Sequence, residues 1–339
     1  MPGILALEIH SEEAPPDWDD ALRAGGGVVF HSRAWASYKV QENGGEPLFC
    51  VWRQGEEVIG RALAMRKPPR SSRIGRHAAK LVFDSPPAGA AGDDFVAPLL
   101  DWCRRDRAVT EVALGTFDAL GPWLPGELPG RRARCEFVLP AGDADDVWVQ
   151  MRQLARRKVK RAQKAELSVR LAPAAAGVGE FADVYAVTEA RLRQSKESYR
   201  GVGFDRGSFA AALADLLGSG AGRLYGAFRG EDLEAGIVFT TFGERAYMIY
   251  SGATDPGREI GGPFLAMAEA LRDLREDGYR TINLGGAAGD AADPASSEHG
   301  LYQFKTRFGA EVVELASGTL VPRPLRAKLV GAARRVVRS

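Results

Sequence analysis

The sequence predicts an α+β protein made of two similarly organised halves. Three observations predict it. The chain has 339 residues, more than one core usually holds. Each half opens on helical spacing and moves into short apolar strands joined by glycine turns. The second half closes in the order helix, meander, helix, strand, helix, and no short-period repeat is visible.

In the first half, Asp17 to Arg23 reads as a helix that Gly25-Gly26-Gly27 ends. Ser32 caps a second helix through Trp35 and Tyr38. Leu48 to Arg53 and Glu57 to Met65 are strands joined by Gln54-Gly55-Glu56, a hairpin signal. Pro68 to Lys80 reads as a basic loop, and Asp93 to Arg105 as a helix with Phe95, Leu99, Leu100 and Trp102 on its apolar side. Glu111 to Gly115 and Arg131 to Leu139 read as strands.

The second half begins near Ala141. Asp143, Asp145 and Asp146 stand where acids complement a helix dipole, and one basic helix is expected from Val147 to Lys164. Val169 to Leu171 is a strand; Gly179 to Arg193 and Arg206 to Leu217 are helices. Arg223 to Phe228, Glu234 to Thr241 and Arg245 to Ser251 form a meander. In Pro263 to Glu276, Phe264, Met267, Ala268, Leu271 and Leu274 recur at helical spacing, and Gly278 ends the helix. Thr281 to Leu284 is a strand, and Ala287 to Ser297 reads as a mobile loop of small polar residues. Then comes Leu301-Tyr302-Gln303-Phe304-Lys305-Thr306-Arg307-Phe308-Gly309, at once aromatic and basic. Phe304 and Phe308 share a helix face, and Lys305 projects from its flank.

Hydrophobic residues make up 45% and charged residues 26% of the chain, as in ordinary globular proteins. No apolar run approaches a membrane span, and Met1 to Glu13 lacks the features of a signal peptide. Cys50, Cys103 and Cys135 are scattered, which excludes a disulfide framework and a cysteine metal motif; a reducing cytoplasm is the expected setting. The net charge of +1 conceals segregation. Arg152, Arg156, Arg157, Lys158, Lys160, Arg161 and Lys164 crowd one segment without an acid; Arg66 to Lys80 and the tail from Pro324 to Ser339 are also basic. Like charges at four-residue spacing repel by ~0.2–0.5 kcal/mol per pair, so a polyanionic partner is expected to relieve them. The tail is amphipathic as well, which leaves peripheral membrane contact open beside packing on the first half.

The order of elements is similar to that of the GNAT-type N-acyltransferases, and the first half shows a looser version of it. Two tandem GNAT-like domains are therefore expected, with mixed sheets flanked by helices. Residues 1–142 with a returning tail 317–339 would form the first, and 143–316 the second. Four segments further resemble the Fem aminoacyl-tRNA-dependent peptidyltransferases (the FemABX type), which build the interpeptide bridge of peptidoglycan. They are Phe30 to Lys39, with its Ser-x-x-Trp pattern; Met151 to Lys164; Tyr247-Met248-Ile249-Tyr250-Ser251-Gly252-Ala253; and Phe304-Lys305-Thr306-Arg307-Phe308-Gly309. No sustained heptads mark a coiled-coil arm, so the chain looks like the compact kind. His31 departs from the family's glutamine and Val159 from its isoleucine.

The resemblance implies attack by a stem-peptide amine on an aminoacyl-tRNA ester, moving glycine, alanine or serine. The acceptor would be a UDP-linked muramoyl pentapeptide or a lipid-linked precursor. No protein nucleophile is needed, no cofactor or metal is expected, and the enzyme would work as a cytoplasmic monomer. Lys305 would be the catalytic residue, stabilising the oxyanion or the tRNA end. Lys39 would grip the acceptor's diphosphate, and Tyr250, Arg191, Tyr199 and Arg206 are further acceptor-binding candidates. Arg152, Arg156, Arg157, Lys160, Arg161, Lys164, Phe304 and Arg307 would bind tRNA.

Two other functions fit the fold. An acyl-CoA-dependent N-acyltransferase acting on an amino sugar or amino acid would cradle pyrophosphate at a helix N-terminus, as Arg258-Glu259-Ile260-Gly261-Gly262-Pro263 partly suggests. Pro263, however, lacks the N–H expected at the third motif position. A non-catalytic RNA- or glycan-binding pair is the other reading.

Overall fold

The computed structural model describes residues 5–11, 13–67, 78–89, 95–106, 108–119, 124, 130–172, 177–195 and 204–324. The chain divides into two compact units, Met1–Arg134 with Leu315–Ser339, and Cys135–Glu314. The division thus falls earlier than the 142/143 and 316/317 boundaries read from the sequence. The reason is that Cys135, Phe137 and Leu139 are buried in the core of the second unit.

The first unit contains β1 (Leu5–Ser11), α1 (Trp18–Ala24), a 3-10 turn at Val29–His31, α2 (Arg33–Asn43), β2 (Glu46–Gln54), β3 (Glu57–Lys67), β4 (Ala79–Phe83), β5 (Ala88–Gly89), α3 (Val96–Arg105) and β6 (Val109–Leu114). Its strands lie in the order β1-β2-β3-β4-β6, and Gly318, Thr319 and Leu320 pair antiparallel with β6. β2 and β3 meet through Gly55, whose φ of +63° suits a tight hairpin turn. Ser32 caps α2 by accepting the Trp35 N–H at 3.1 Å. Leu48, Trp52, Leu81, Phe83 and Leu99 build the core. Residues 68–77 of the expected basic loop, and the basic tail beyond Pro324, lie outside the described residues.

His31 is wholly buried, and burial depresses its pKa to about 4. The unfolded chain, with an ordinary value near 6.5, binds the proton first as pH falls. His31 therefore contributes stability that is present above about pH 6.5 and is lost toward pH 4, amounting to ~3 kcal/mol. Melting temperatures measured between pH 7 and 4 should fall less steeply in His31→Gln than in the parent; equal slopes would refute this.

From Cys135 the second unit comprises most of β7 (Arg132–Leu139), then α4 (Asp146–Gln150), α5 (Gln153–Lys164), β8 (Ser168–Leu171), α6 (Gly177–Ser195), α7 (Arg206–Gly218), β9 (Gly222–Arg229), β10 (Asp232–Phe242), β11 (Arg245–Ala253), α8 (Asp255–Ile260), α9 (Gly262–Glu276), β12 (Thr281–Ala288) and α10 (His299–Thr306); β13 (Glu311–Leu320) starts here and leaves it at Leu315. The sheet order is β7-β12-β11-β10-β9-β8, with β8 to β11 antiparallel and β11–β12 parallel. α9 packs its buried Leu265, Met267, Leu271 and Leu274 on this sheet. Among the described residues, no helix is long and apolar enough to cross a membrane.

Two readings are corrected. The single basic helix is two helices, because Met151 is extended (φ −65°, ψ 135°) and the Arg152 N–H is taken by Arg307 O at 2.8 Å. The Ala287–Ser297 segment is a series of closed turns, in which the Glu298 carboxylate accepts the Ala288 N–H at 2.7 Å and Ala291 is fully buried.

Candidate functional site

β11 and β12 run side by side with Tyr247 opposite Asn283. Just downstream the β10–β11 register shifts between Val238 and Phe239, and Gly285 of β12 takes a φ of +75°. A Cβ at Gly285 would stand 2.8 Å from Met248 O and 3.4 Å from Lys305 Nζ. Glycine there is what lets the backbone turn and the β11 backbone lie against it.

Around this turn is a buried polar network. Glu136, on β7, is wholly buried and accepts the Tyr247 hydroxyl at 3.0 Å and Asn283 Nδ2–H at 2.8 Å. Asn283 Oδ1 accepts the Gly285 N–H at 2.9 Å. On the next residue, Gly286 O accepts Lys305 Nζ–H at 2.9 Å. The Lys305 ammonium lies 5.2 Å from the Phe137 ring centroid, and the residue is 2% exposed. Burying an ammonium is costly unless it is bonded, and here a carbonyl and a ring face meet it. Lys305 thus turns inward rather than projecting from the flank of its helix. α10 ends at Thr306, and the expected anchor rings pack inward: Phe304 and Phe308 lie 5.0 and 5.7 Å from Phe264.

The other cations predicted to meet RNA fall in two places. Arg157, Lys160, Arg161 and Lys164 are exposed on α5 with Arg156 half-buried, opposite its buried Ala155, Val159 and Ala162. Arg152 is exposed at the N-cap of α5 rather than inside the helix. Arg307 is half-buried and donates to Gln303 Oε1 at 2.7 Å. Sequence reasoning missed Trp148, which is 39% exposed on α4 with Lys160 Nζ 5.9 Å from its ring centroid.

Acceptor candidates are more scattered. Tyr250 is half-buried in an aromatic cluster, 5.1 Å from Tyr185 and 5.0 Å from Phe209 between ring centroids. Arg191 faces Asp255 at 3.8 Å, and burial pushes its guanidinium pKa down. Arg206 is exposed and clamped on Asp183, with an Nη2–Oδ2 distance of 2.7 Å. Tyr199 lies outside the described residues. In the first unit, Lys39 is paired with Glu42 and stands 5.5 Å from the Trp35 ring centroid. Lys67 shares this corner; burial first, then Lys39, push its ammonium pKa down.

Glu136, Tyr247 and Asn283 were also missed. A signal for Glu136 existed: it is a lone acid inside the apolar run Cys135-Glu136-Phe137-Val138-Leu139. The Arg258–Pro263 segment forms the end of α8 and the start of α9, joined by left-handed Gly261 (φ +98°). A Cβ at Gly261 would lie 2.6 Å from Lys158 O, so α5 backbone closes on the place where a pyrophosphate cradle would open.

Comparison with known proteins bears on the fold. Residues 150–305 match the family described as acetyltransferase (GNAT) domain. Among solved structures, FemX superposes with a TM-score of 0.68 at 14% identity, over 93% of this chain and 98% of that one. L-PGS from Bacillus licheniformis gives 0.53 at 13% identity, over 97% and 99%. A tandem GNAT protein from the clavulanic acid biosynthesis pathway gives 0.51 at 14% identity, over 94% and 99%. A search of curated proteins gives no match. The fold is a tandem of two GNAT-like α+β units.

Proposed function

We propose that the protein is an acyltransferase of the FemABX type, which moves an amino acid from aminoacyl-tRNA to the side-chain amine of a peptidoglycan-precursor stem peptide. The observation that carries this reading is the ammonium of Lys305, buried on Gly286 O and Phe137 in the second unit. A dry, fixed cation is suited to an oxyanion that forms as the amine adds to an ester carbonyl. The ester is already activated, so the enzyme aligns the amine and stabilises charge without a covalent intermediate. Lys39 is assigned to the acceptor's diphosphate, with Lys67 as a second cation in the same corner. Tyr250, Arg191 and Arg206 remain the acceptor-binding candidates of the second unit, and the setting is assigned to the cytoplasm.

The deciding experiment combines charged total tRNA, a nucleotide-linked muropeptide and the enzyme, and weighs the product. A gain of one amino-acid residue, abolished by ribonuclease, is expected; an unchanged acceptor would reject the reading.

The cations of α5 are assigned to the RNA backbone. Binding of charged tRNA should weaken steeply with salt, and Lys160→Ala should reduce the slope of log K against log salt by about 1. A salt-independent affinity would remove α5 from the interface. The acyl-CoA reading is favoured by the match to the acetyltransferase domain and opposed by Pro263 and by the approach of Lys158 O to Gly261. Isothermal titration with coenzyme A should give no saturable micromolar binding; saturation would favour that alternative.

A further inference from the structure

We propose that Glu136 is a positioning residue for Lys305, acting through Asn283 and the Gly285–Gly286 turn. The inference rests on Lys305 being the catalytic cation, as argued above. Among the described residues, the second unit buries three ionisable acid or lysine side chains, Glu136, Glu189 and Lys305. Glu189 sits on α6, 3.3 Å from the Tyr185 hydroxyl and 3.5 Å from Arg193. Glu136 belongs to the strand that also carries Phe137, the ring beneath the Lys305 ammonium.

The bonds run in one direction. The Glu136 carboxylate can only accept, so Asn283 must present its NH2 to it at 2.8 Å. That fixes the amide's other end, and Oδ1 then faces the Gly285 N–H at 2.9 Å. The Gly285 bond pins a residue at φ +75°, and the next carbonyl, Gly286 O, is thereby aimed at Lys305 Nζ. One carboxylate therefore sets the polarity of an amide, the amide sets a turn, and the turn holds the cation. A misplacement of about 1 Å in such a group can lower a rate on the order of 10²-fold.

Glu136→Met tests this with little change in length. It leaves the Asn283 NH2 without its acceptor on β7, so the amide's orientation is no longer fixed and its hold on the Gly285 N–H is lost, whereas a glutamine could still accept from Asn283 through Oε1 and donate to the Tyr247 hydroxyl. The expected results are a kcat lowered about 10- to 100-fold, KM values for donor and acceptor within about twofold of the parent, and faster hydrogen exchange at the Gly285 amide. Asn283→Ser, which breaks the same relay, should behave alike, and the two together should be no worse than either alone. Tyr247→Phe removes another donor to Glu136 and should lower stability without quickening Gly285 exchange.

If Glu136→Met does not yield folded protein, Asn283→Ser carries the test. A full kcat with slow Gly285 exchange in these variants, while Lys305→Ala is inactive, would overturn the positioning role and leave the functional reading intact. Full activity of Lys305→Ala would instead sink the functional reading, and Gly285 exchange would still decide whether the relay exists. A loss of kcat in Tyr247→Phe equal to that in Glu136→Met would mean general packing, and would also overturn the proposal.

Discussion

On the proposed function, Lys305→Ala is expected to lower kcat/KM for aminoacyl-tRNA about 10²- to 10³-fold, the usual effect of losing one preorganised oxyanion contact. The size follows from burial. An exposed lysine is screened by water and contributes little, whereas this ammonium is 2% exposed against Phe137 and Gly286 O. Arginine should not restore activity. Its planar fork is larger than an ammonium, and the site is already closed by Gly286 O at 2.9 Å from Nζ and the Phe137 ring centroid at 5.2 Å. Lys305→Met separates chemistry from folding, because it keeps most of the volume and loses the charge. It leaves Gly286 O without this donor, at about 1–3 kcal/mol, so it should melt somewhat earlier and still fold. Circular dichroism with single-turnover transfer assays would test both parts. A folded Lys305→Met enzyme at the parental rate would refute the role assigned to the cation.

Much of the fold was legible because it is written in local signals. The hairpin at Gly55, the turn after Arg229, the Ser32 cap and the apolar stripe of α9 each depend on residues close in sequence. The basic helix was misread because its break is not local. Nothing in Met151-Arg152 forbids a helix; the extended geometry comes from the bond between the Arg152 N–H and Arg307 O. The loop after β12 was misread for a similar reason, since its small polar residues suggest freedom and only the Glu298–Ala288 bond closes it.

The candidate site was legible in part. Lys305 stood out by its aromatic setting, yet its inward direction depends on the Gly286 carbonyl of β12, distant in sequence. Tyr250 drew attention over Tyr247 because the family resemblance falls on the strand end. Register decides between them: Tyr247 is opposite Asn283 and reaches Glu136, while Tyr250 joins the cluster with Tyr185 and Phe209. A side chain's partner across a sheet cannot be read from one strand alone.

Gly285→Ala should be the most damaging single-methyl change at the site, because two penalties coincide. The left-handed φ of +75° costs a non-glycine residue about 1–2 kcal/mol. The added Cβ would also meet Met248 O at 2.8 Å, a backbone atom that moves only if β11 moves. Together these should destabilise the protein by about 2–4 kcal/mol. Gly278→Ala is the control, since φ there is +85° but no atom lies within 4 Å of the added methyl. It carries the strain without the crowding and should cost only about 1–2 kcal/mol. The two also differ in function. The methyl at Gly285 meets Met248 O and must shift the β12 turn whose next carbonyl holds Lys305 Nζ, so the folded fraction of Gly285→Ala should transfer nearly as slowly as Lys305→Ala, whereas Gly278→Ala should keep the parental rate once folded. Denaturant titration and active-site-normalised rates separate these effects. Equal stabilities for the two variants, with activity preserved in both, would mean that the β12 turn does not hold the lysine as described.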